Sequence, residues 1–313
     1  MTEFADLILR SGRSGVELAL FVLLPIMIVM LTFMRILEAR GILDWIVKHA
    51  TPLVRWFGIP GLGLFALIQI VFVGVAAPLA TLTMMDKSAI PRRQIAATLA
   101  MVFGAAQANV TFPMAAFGVN TPLIIGISII GALAGAASTY YIFGRGLNDH
   151  DAPAVDLPEH PSASDTKGIL ELINSAGREA FNTAVSAIPM LVLALLLVNI
   201  LRSSGAISGL ESLLMPLFNF FELSSAMLLP LVTKAIAGGT AMMGVMTEYL
   251  QQDVISLKEF HISAALLITP FDVAGVAILI SAGPRVASVL RPAAYGAVVA
   301  IILRTLMHYI AAI

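Results

Sequence analysis

The stretch GLGLFALIQIVFVGVAAPLATLTMM, residues 61–85, is mostly apolar but is interrupted by Gly74 and Pro78. The interruption leaves two arms of about 13 and 10 residues, which as helices reach only about 15 to 20 Å. Because the hydrocarbon core of a membrane is about 30 Å thick, neither arm is long enough to cross it. The stretch therefore predicts a re-entrant helical hairpin, which enters the membrane and returns to the same side.

A second stretch, SAMLLPLVTKAIAGGTAMMGVMTEY at residues 225–249, repeats this pattern with its turn at Gly238, Gly239 and Thr240. Aligning the chain with itself at an offset of 164 residues pairs the two stretches without a gap and matches several Gly and Pro positions. The matched pairs include Pro25 with Pro189, Gly41 with Gly205, Pro52 with Pro216, Phe57 with Phe221, Gly74 with Gly238 and Thr83 with Thr247. The sequence therefore predicts a duplicated fold.

Composition indicates a membrane protein. Of the 313 residues, 59% are hydrophobic and only 12% are charged, whereas about 25% are charged in soluble proteins. Residues 94–144 contain no Asp, Glu, Lys or Arg. The net charge of −1 leaves no basic surface for nucleic acid, and the absence of cysteine excludes thiolate metal sites and disulfides. We therefore expect a chain embedded in the lipid bilayer, with no nucleic-acid partner, no resident metal and no cofactor.

The polar, proline-rich segment 145–167 is predicted to link two repeats, residues 1–144 and 168–313. Each repeat is predicted to contain an apolar helix, an amphipathic helix lying along the membrane surface, the re-entrant hairpin and two further helices. The predicted ranges are 16–37, 42–57, 61–85, 95–117 and 122–143 in the first repeat, and 181–201, 207–221, 225–249, 259–281 and 292–310 in the second.

The distribution of basic residues favours inverted repeats. If each hairpin returns to its own side, the second repeat enters inverted, and twelve Lys and Arg residues face one side against five on the other, Arg304 among the five. If each interrupted segment crosses once, the repeats are parallel and the split is ten against seven. The positive-inside rule therefore predicts an all-α polytopic protein of the cell (inner) membrane, with two inverted repeats and both termini outside the cytoplasm.

Polar side chains within the apolar segments mark the candidate site, because an ionised group at the membrane centre costs about 3 kcal/mol and normally faces a cavity or a partner. They are neutral in the first repeat and charged in the second. The neutral ones are Gln69, Gln107 and Asn109, and the charged ones are Lys234, Glu248 and Asp272. Backbone opened at the hairpin turns is also expected to approach a solute. The turn residues with this predicted role are Gly74, Gly238, Gly239 and Thr240.

Lys234 is the most informative of these residues. Its ammonium either holds an anionic part of a solute or exchanges a proton with Asp272 or Glu248 as the site opens to alternate sides. Asp272 and Glu248 are then the candidate groups for coupling to H⁺ or Na⁺, although Glu248 alternatively lies at the base of the hairpin near water, with Gln251, Gln252 and Asp253. Alternatively, Lys234 and Asp272 form a buried ion pair that locks the hairpin, or the lysine stem lets the ammonium reach the membrane surface. The neutral side chains either bind the solute or satisfy backbone groups freed where helices are broken.

The string LIQIVFVGVAAPLATLTMMDKSAIPRRQIAATLAMVFGAAQANV, residues 67–110, resembles the nucleoside recognition, or Gate, domain. The strings VTKAIAGGTAMMGVMTEYL and ITPFDVAGV resemble it more faintly in the second repeat. Concentrative nucleoside transporters, the membrane part of the ferrous iron transporter B and the spore maturation proteins A and B share this domain. A fused pair of such units with little else is most similar to the spore-maturation type. The resemblance implies inverted halves whose hairpins and broken helices meet at a central site, and it suggests a homo-oligomer.

The nucleoside ligands of that family are not matched. The transporters carry Gly-Gln-Ser/Thr-Glu-Ala-Pro at the first hairpin turn, where the Gln and Glu read the base. Here only Gly74, Ala77 and Pro78 match, and Val75 and Ala76 stand between them. The family's Asn-Glu pair, which serves the ribose, aligns near residues 245–246, a Val and a Met. The resemblance therefore implies the fold more directly than it implies the solute.

These observations lead to two functional expectations. The first is a secondary transporter that moves a small polar solute, anionic, zwitterionic or nucleoside-like, by alternating access and ion coupling. The alternative is a non-transporting membrane scaffold or partner-binding protein of the spore-maturation type, in which Lys234 and Asp272 form a frozen pair. An enzyme is not expected, because no nucleophile, base and orienting group can be assembled within the apolar segments.

Overall fold

The computed structural model describes residues 2–115, 117–147, 168–204, 215–216, 218–219 and 223–312. Within these ranges the chain is helical and contains no β-strand, which confirms the predicted all-α class. Five described stretches are long and apolar enough to cross a membrane, as expected of a polytopic protein. They are Phe4–Ala39, Arg92–Ala115, Thr121–Phe143, Ser225–Leu250 and Leu290–Ala311.

The first helical stretch is longer than hydropathy predicts. It consists of α1 (Thr2–Glu17), a π-helical turn (Leu18–Leu23) and α2 (Leu24–Ala39), whereas the predicted helix covers residues 16–37 only. Gly41, with φ +66°, then turns the chain into α3 (Ile42–Val54), the predicted surface helix. After a 3₁₀ turn (Arg55–Phe57) the chain bends by 104° into the first hairpin.

The first hairpin consists of α4 (Gly61–Phe72) and α5 (Pro78–Lys87), which pack side by side. The Thr81 hydroxyl donates to Gln69 Oε1 at 2.7 Å and so joins the two arms. At 12 and 10 residues, the arms are about 18 and 15 Å long. Both are too short to cross the membrane alone, as predicted for a re-entrant hairpin.

The next transmembrane stretch is broken. Its two pieces, α6 (Arg92–Gly104) and α7 (Ala108–Ala115), are separated by residues 105–107. The last helix of the first repeat, α8 (Thr121–Ser138), continues into a π-helical turn (Thr139–Phe143). These bounds agree closely with the predicted ranges 95–117 and 122–143.

The second repeat begins with α9 (Ile169–Ser203), which runs antiparallel to α1 and α2. Its two ends are fixed by hydrogen bonds from Arg35 to Glu179 at 2.9 Å and from Asn199 to Ser11 at 3.0 Å. These are the first helices of the two repeats, and their opposite directions are what an inverted arrangement requires. The two helices are close to each other at Gly15, where an added methyl group would lie 2.8 Å from the Val192 side chain.

The second hairpin is α10 (Leu228–Gln251), whose helical path is broken at Gly238 (φ +84°, ψ 176°). By length and composition alone, this stretch could cross a membrane once. However, the Ser224 N–H, just before α10, donates to Glu259 Oε1 at 2.9 Å, eight residues after α10 ends. A straight helix of 24 residues would hold its ends about 36 Å apart, whereas Leu229 and Tyr249, which lie near the two ends of α10, line the same cavity. The stretch therefore folds back at Gly238, as predicted.

The chain then forms a second broken helix and a last helix. The pieces α11 (Leu257–Leu267) and α12 (Val273–Ile280) are separated by residues 268–272. A short helix, α13 (Pro284–Ser288), leads into α14 (Leu290–Ala312). Helices α6, α8 and α14 pack against one another, and α6 is almost completely buried between its neighbours.

Two predicted elements fall mainly outside the described residues. The linker predicted at 145–167 is described only at residues 145–147, and the surface helix predicted at 207–221 only at residues 215–216 and 218–219. The repeat boundaries 1–144 and 168–313 therefore stay predictions.

Candidate functional site

The two broken helices meet at their interruptions. Gln107, the residue before α7, donates its backbone N–H to the carbonyl oxygen of Ile268 at 2.9 Å. Its side-chain Nε2 donates to the carbonyl oxygen of Thr269 at 3.0 Å. Both carbonyls belong to the interruption between α11 and α12. Backbone groups freed in one helix are thus satisfied by the other repeat, which fixes the centre of the fold.

Lys234 and Asp272 form a buried ion pair beside this crossing. Lys234 lies one helical turn before Gly238 on the first arm of α10, and Asp272 is the N-cap residue of α12. Lys234 is 4% exposed and Asp272 is 9% exposed. Asp272 Oδ1 accepts the Gly275 N–H at 2.7 Å, while Oδ2 accepts from the Lys234 ammonium. The carboxylate therefore caps a helix N-terminus, where negative charge is favoured, and also neutralises a buried cation.

A cavity of about 180 Å³ lies between the two hairpin turns and the two helix interruptions. We call it the central cavity. Five of the predicted site residues line it, namely Gln107, Gly238, Gly239, Thr240 and Asp272. Val75, from the turn of the first hairpin, also lines it, as does Leu191 of α9. The cavity has the volume of about six water molecules and suits a small solute.

Asn109 and Gly74 lie just behind the central cavity. Asn109 Nδ2 donates to the Thr240 hydroxyl at 3.0 Å and so connects the first broken helix to the second hairpin turn. Its Oδ1 is buried and has no hydrogen-bond partner among the described residues. Gly74 has φ +137°, and a side chain there would bring its Cβ to 3.0 Å from this oxygen. Glycine at this position therefore permits the close approach of the hairpin turn to the unsatisfied acceptor.

Two of the predicted site residues lie elsewhere. Gln69 is held by Thr81 inside the first hairpin and is not among the residues that line the central cavity. Glu248 is exposed and lines a separate cavity of about 540 Å³ between α1, α9 and the second arm of α10. The sequence shows that Gln69 and Glu248 belong to hairpin arms, but it does not show how far along an arm, and therefore how far from the central cavity, each side chain lies.

The charge that faces the central cavity is that of Asp272. Lys234, although paired with Asp272, is not one of the described residues that line the cavity. The carboxylate is also part of the wall of an apolar groove of about 480 Å³ on its other side, with Phe271 and Val276. Hence a solute in the central cavity meets an acidic group first. Within the described ranges, no group of three His, Asp or Glu residues is placed to hold a metal ion.

Two buried polar residues of α14 were missed by the sequence interpretation. Arg304 is fully buried and donates Nη1 to the carbonyl oxygen of Gly104, the last residue of α6, at 2.6 Å. His308 is 1% exposed, and its Nε2 has no hydrogen-bond partner in the part of the chain that the structure describes. Arg304 was counted among the basic residues outside the membrane, which was wrong, because Arg304 caps the end of α6 inside the protein. Its position after the apolar run 297–303 was the available signal.

No protein-family profile matches the sequence, and no curated protein matches it. The structure is similar to that of the concentrative nucleoside transporter CNTnw in an inward-facing, substrate-bound state, at 19% identity and a TM-score of 0.67 over 99% of this chain and 83% of that chain. A CNTnw variant in an outward-facing state is 18% identical, with a TM-score of 0.66 over 99% of this chain and 84% of that chain. A CNTnw variant in an intermediate state is 16% identical, with a TM-score of 0.71 over 94% of this chain and 76% of that chain. At such identities the likeness concerns the fold, and the chain has the fold of a concentrative nucleoside transporter.

Proposed function

We propose that this protein is a secondary transporter that moves a small polar solute across the membrane by alternating access. The observation that carries the proposal is the central cavity. Its wall is formed by the turns of both hairpins, by the interruption between α11 and α12, and by Gln107 from the other broken helix. Broken helices of this kind expose backbone groups at membrane depth, which is tolerated where they line a solute cavity.

The structural neighbours support the same function. CNTnw has been captured in inward-facing, outward-facing and intermediate states, and its inward-facing structure holds a substrate. The present chain shares that fold over nearly its whole length. At the first hairpin turn, Val75 and Ala76 stand between Gly74 and Ala77, and neither the Gln nor the Glu of the nucleoside-transporter motif is present. We therefore propose transport without assigning a nucleoside as the solute.

Coupling to H⁺ or Na⁺ is part of the proposal, with Asp272 as the coupling group. Its carboxylate lines the central cavity and is bound to Lys234. Protonation or cation binding there would change the charge of the pair during a transport cycle. Glu248 lies in a different cavity and is the weaker candidate for this role. We also retain the placement in the cell (inner) membrane with both termini outside the cytoplasm, which rests on the distribution of basic residues.

A second function is favoured by one observation, the direct contact of Lys234 with Asp272. A closed ion pair can act as a permanent lock, and the protein would then be a membrane scaffold of the spore-maturation type. Replacing a buried ion pair by apolar residues of similar volume is often neutral or stabilising. The double variant Lys234→Met with Asp272→Leu distinguishes the two functions. A stable double variant that keeps its cellular role supports the scaffold, and loss of solute binding or uptake supports the transporter.

The test of transport is a thermal-unfolding screen of the purified protein in detergent, followed by uptake into proteoliposomes. The panel contains nucleosides, nucleobases, amino acids, small carboxylates and small amines, each with Na⁺ and at two pH values. A ligand at 100 times its dissociation constant adds about 2.7 kcal/mol of stability. We expect at least one solute to stabilise the wild type, to lose this effect in Asp272→Asn, and to enter proteoliposomes. Uptake of no solute under any imposed gradient would contradict the transporter.

A further inference from the structure

The central cavity and a larger cavity lie next to each other along a single groove. The larger cavity, of about 540 Å³, has Leu195 of α9 and Val245 of α10 in its wall. The central cavity is lined by Leu191 and Ala241, each one helical turn earlier on the same two helices. The two cavities therefore follow each other along the groove between α9 and the second arm of α10. We call the larger cavity the vestibule.

The charged side chains along this groove are acidic. Asp272 lines the central cavity, and Glu17 and Glu248 line the vestibule, whereas no Lys or Arg occurs among the described residues that line either one. Glu17 pairs with Arg13 at 2.9 Å. Glu248 contacts only the neutral Gln252, at 3.4 Å, among the described residues. A cleft lined by one sign of charge attracts ligands of the opposite sign and repels the others.

An unsatisfied hydrogen-bond acceptor lies close to the central cavity. Asn109 is bonded to Thr240, which lines the cavity, and its buried Oδ1 has no partner among the described residues. Leaving a buried acceptor unsatisfied costs about 1 to 3 kcal/mol. A ligand with N–H groups would bring donors to this region, whereas an anion would bring further acceptors.

Lys234 approaches Asp272 from outside the cavity lining. Its ammonium binds Asp272 Oδ2, yet Lys234 lines neither the central cavity nor the vestibule. The lysine is thus a tethered primary ammonium held on the carboxylate that a solute would meet. Since an unpaired buried carboxylate is costly, the site without solute needs such a counter-ion.

On the basis of the transport function proposed above, we infer that the solute is a small organic cation with a primary ammonium group. Lys234 holds its place on Asp272 before the solute arrives. When the solute binds, its ammonium replaces that of Lys234 on the carboxylate, and the displaced Lys234 gives its proton to water, so that one ammonium and one carboxylate face each other in both states. The carboxylate then stays paired in both states. The volume of about 180 Å³ limits the solute to a short amine. Glu248 attracts the solute into the vestibule.

The first test removes the tethered ammonium. Lys234→Ala leaves Asp272 without its partner and opens space where the lysine stem was. We expect a lower thermal midpoint, which millimolar ethylammonium or n-propylammonium restores towards the wild-type value. The matched probes are n-propanol and propionate, which have similar size without the positive charge. The matched variants are Lys234→Ala with Asp272→Asn, which lacks the carboxylate, and Lys48→Ala, which removes an exposed lysine of α3.

Binding of n-propylammonium should be at least tenfold tighter in Lys234→Ala than in the Lys234→Ala, Asp272→Asn double variant. Propionate or n-propanol giving an equal stabilisation would overturn the inference, as would an equal effect of the amine in both variants. If Lys234→Ala does not fold, Lys234→Gln and the wild type are titrated with the same probes. The wild type should then respond to n-propylammonium more weakly than Lys234→Gln, because it keeps the tethered competitor, and the reverse order would contradict the inference.

The second test separates the ligand class from transport itself. The wild type, Asp272→Asn and Glu248→Gln are each reconstituted into proteoliposomes. The uptake of labelled ethanolamine, uridine and acetate is then compared among the three proteins. We expect the wild type to take up ethanolamine and Asp272→Asn to lose this uptake. In Glu248→Gln we expect the KM for ethanolamine to rise several-fold at low salt, while kcat is unchanged. Uptake of uridine or acetate but not of ethanolamine would refute the cation and leave transport standing. Amine binding at Asp272 with no uptake of any solute would refute transport and leave the ligand class standing.

Discussion

Gln107 and Ile268 join the two repeats through a backbone hydrogen bond of 2.9 Å, at the point where each transmembrane helix is interrupted. The Gln107 side chain adds a second bond to Thr269. Neither interruption satisfies its freed backbone groups alone, so the two depend on each other. The central cavity is built on this crossing, because Gln107 belongs to its wall.

The side chain of Gln107 is therefore expected to contribute strongly to stability. In Gln107→Leu the carbonyl of Thr269 loses a buried donor, which costs about 1 to 3 kcal/mol. For a chain of this size we expect the thermal midpoint in detergent to fall by about 2 °C or more. Gln94→Leu is the control, since the Gln94 side chain makes no hydrogen bond to the described residues. Equal midpoints for the two variants would contradict the role of Gln107.

The hairpins could be predicted from sequence because their signals are local. Gly74, Pro78 and Gly238 interrupt apolar runs at positions where no straight helix fits the membrane. The interruption after α6, at residues 105–107, lacks such a signal because it contains no glycine or proline. The nearby Pro113 lies inside α7.

That interruption depends on distant residues. The Gly104 carbonyl accepts from Arg304, the Ala106 N–H donates to the Ser128 hydroxyl, and the Gln107 N–H donates to Ile268. These partners come from three other helical segments, so the sequence near Gly104 and Pro113 could indicate a broken helix but could not place the break at residues 105–107. The direct pairing of Lys234 with Asp272 could be anticipated from sequence, but which of the two faces the cavity depends on packing.

Gly238 is expected to tolerate no side chain for a conformational reason. Its φ of +84° and ψ of 176° lie in a region that only glycine occupies readily, and a methyl group added there would lie at an ordinary 3.5 Å from its nearest neighbours. Gly238→Ala should therefore destabilise the protein by about 1 to 3 kcal/mol through backbone strain. It should also weaken any solute binding, because the turn lines the central cavity.

The control for this variant is Gly177→Ala. Gly177 lies in α9 with nothing within 4 Å of an added methyl, so alanine should stabilise the helix by about 0.5 to 1 kcal/mol. Thermal unfolding of both variants checks the prediction. A Gly238→Ala protein as stable as Gly177→Ala would mean that the second hairpin does not need the observed turn.

Two glycines of α8 should respond to alanine in opposite directions. A methyl group on Gly131 would meet the aliphatic stem of Arg304 and lie 3.1 Å from the carbonyl oxygen of Ala300, whereas one on Gly126 meets nothing within 4 Å. Gly131→Ala should therefore push α8 and α14 apart and cost about 1 to 3 kcal/mol. Gly126→Ala should gain about 0.5 to 1 kcal/mol from helix propensity. Similar thermal midpoints for the two variants would show that α8 and α14 are not closely packed at Gly131.

The base of the first hairpin is held by a reciprocal contact with α13. Arg285 Nη1 donates to the carbonyl oxygens of Asp86 and Ser88 at 3.0 and 2.7 Å, and its Nη2 donates to that of Ile90 at 2.6 Å. In return, Asp86 Oδ1 accepts the Val286 N–H at 2.9 Å. The guanidinium thus satisfies the carbonyls at the end of α5, and the carboxylate satisfies the start of α13.

Asp86 and Arg285 should therefore be energetically coupled. Each single change to alanine leaves buried backbone groups without a partner, which costs about 1 to 3 kcal/mol, whereas Asp86→Asn keeps an acceptor for Val286 and should cost less. Because both side chains hold the same two segments together, the double variant Asp86→Ala, Arg285→Ala should lose less stability than the sum of the single losses. Thermal unfolding of the wild type, the two single variants and the double variant measures this. Strictly additive losses would mean that the hairpin base and α13 are stabilised independently, and that the two repeats are not joined at this end.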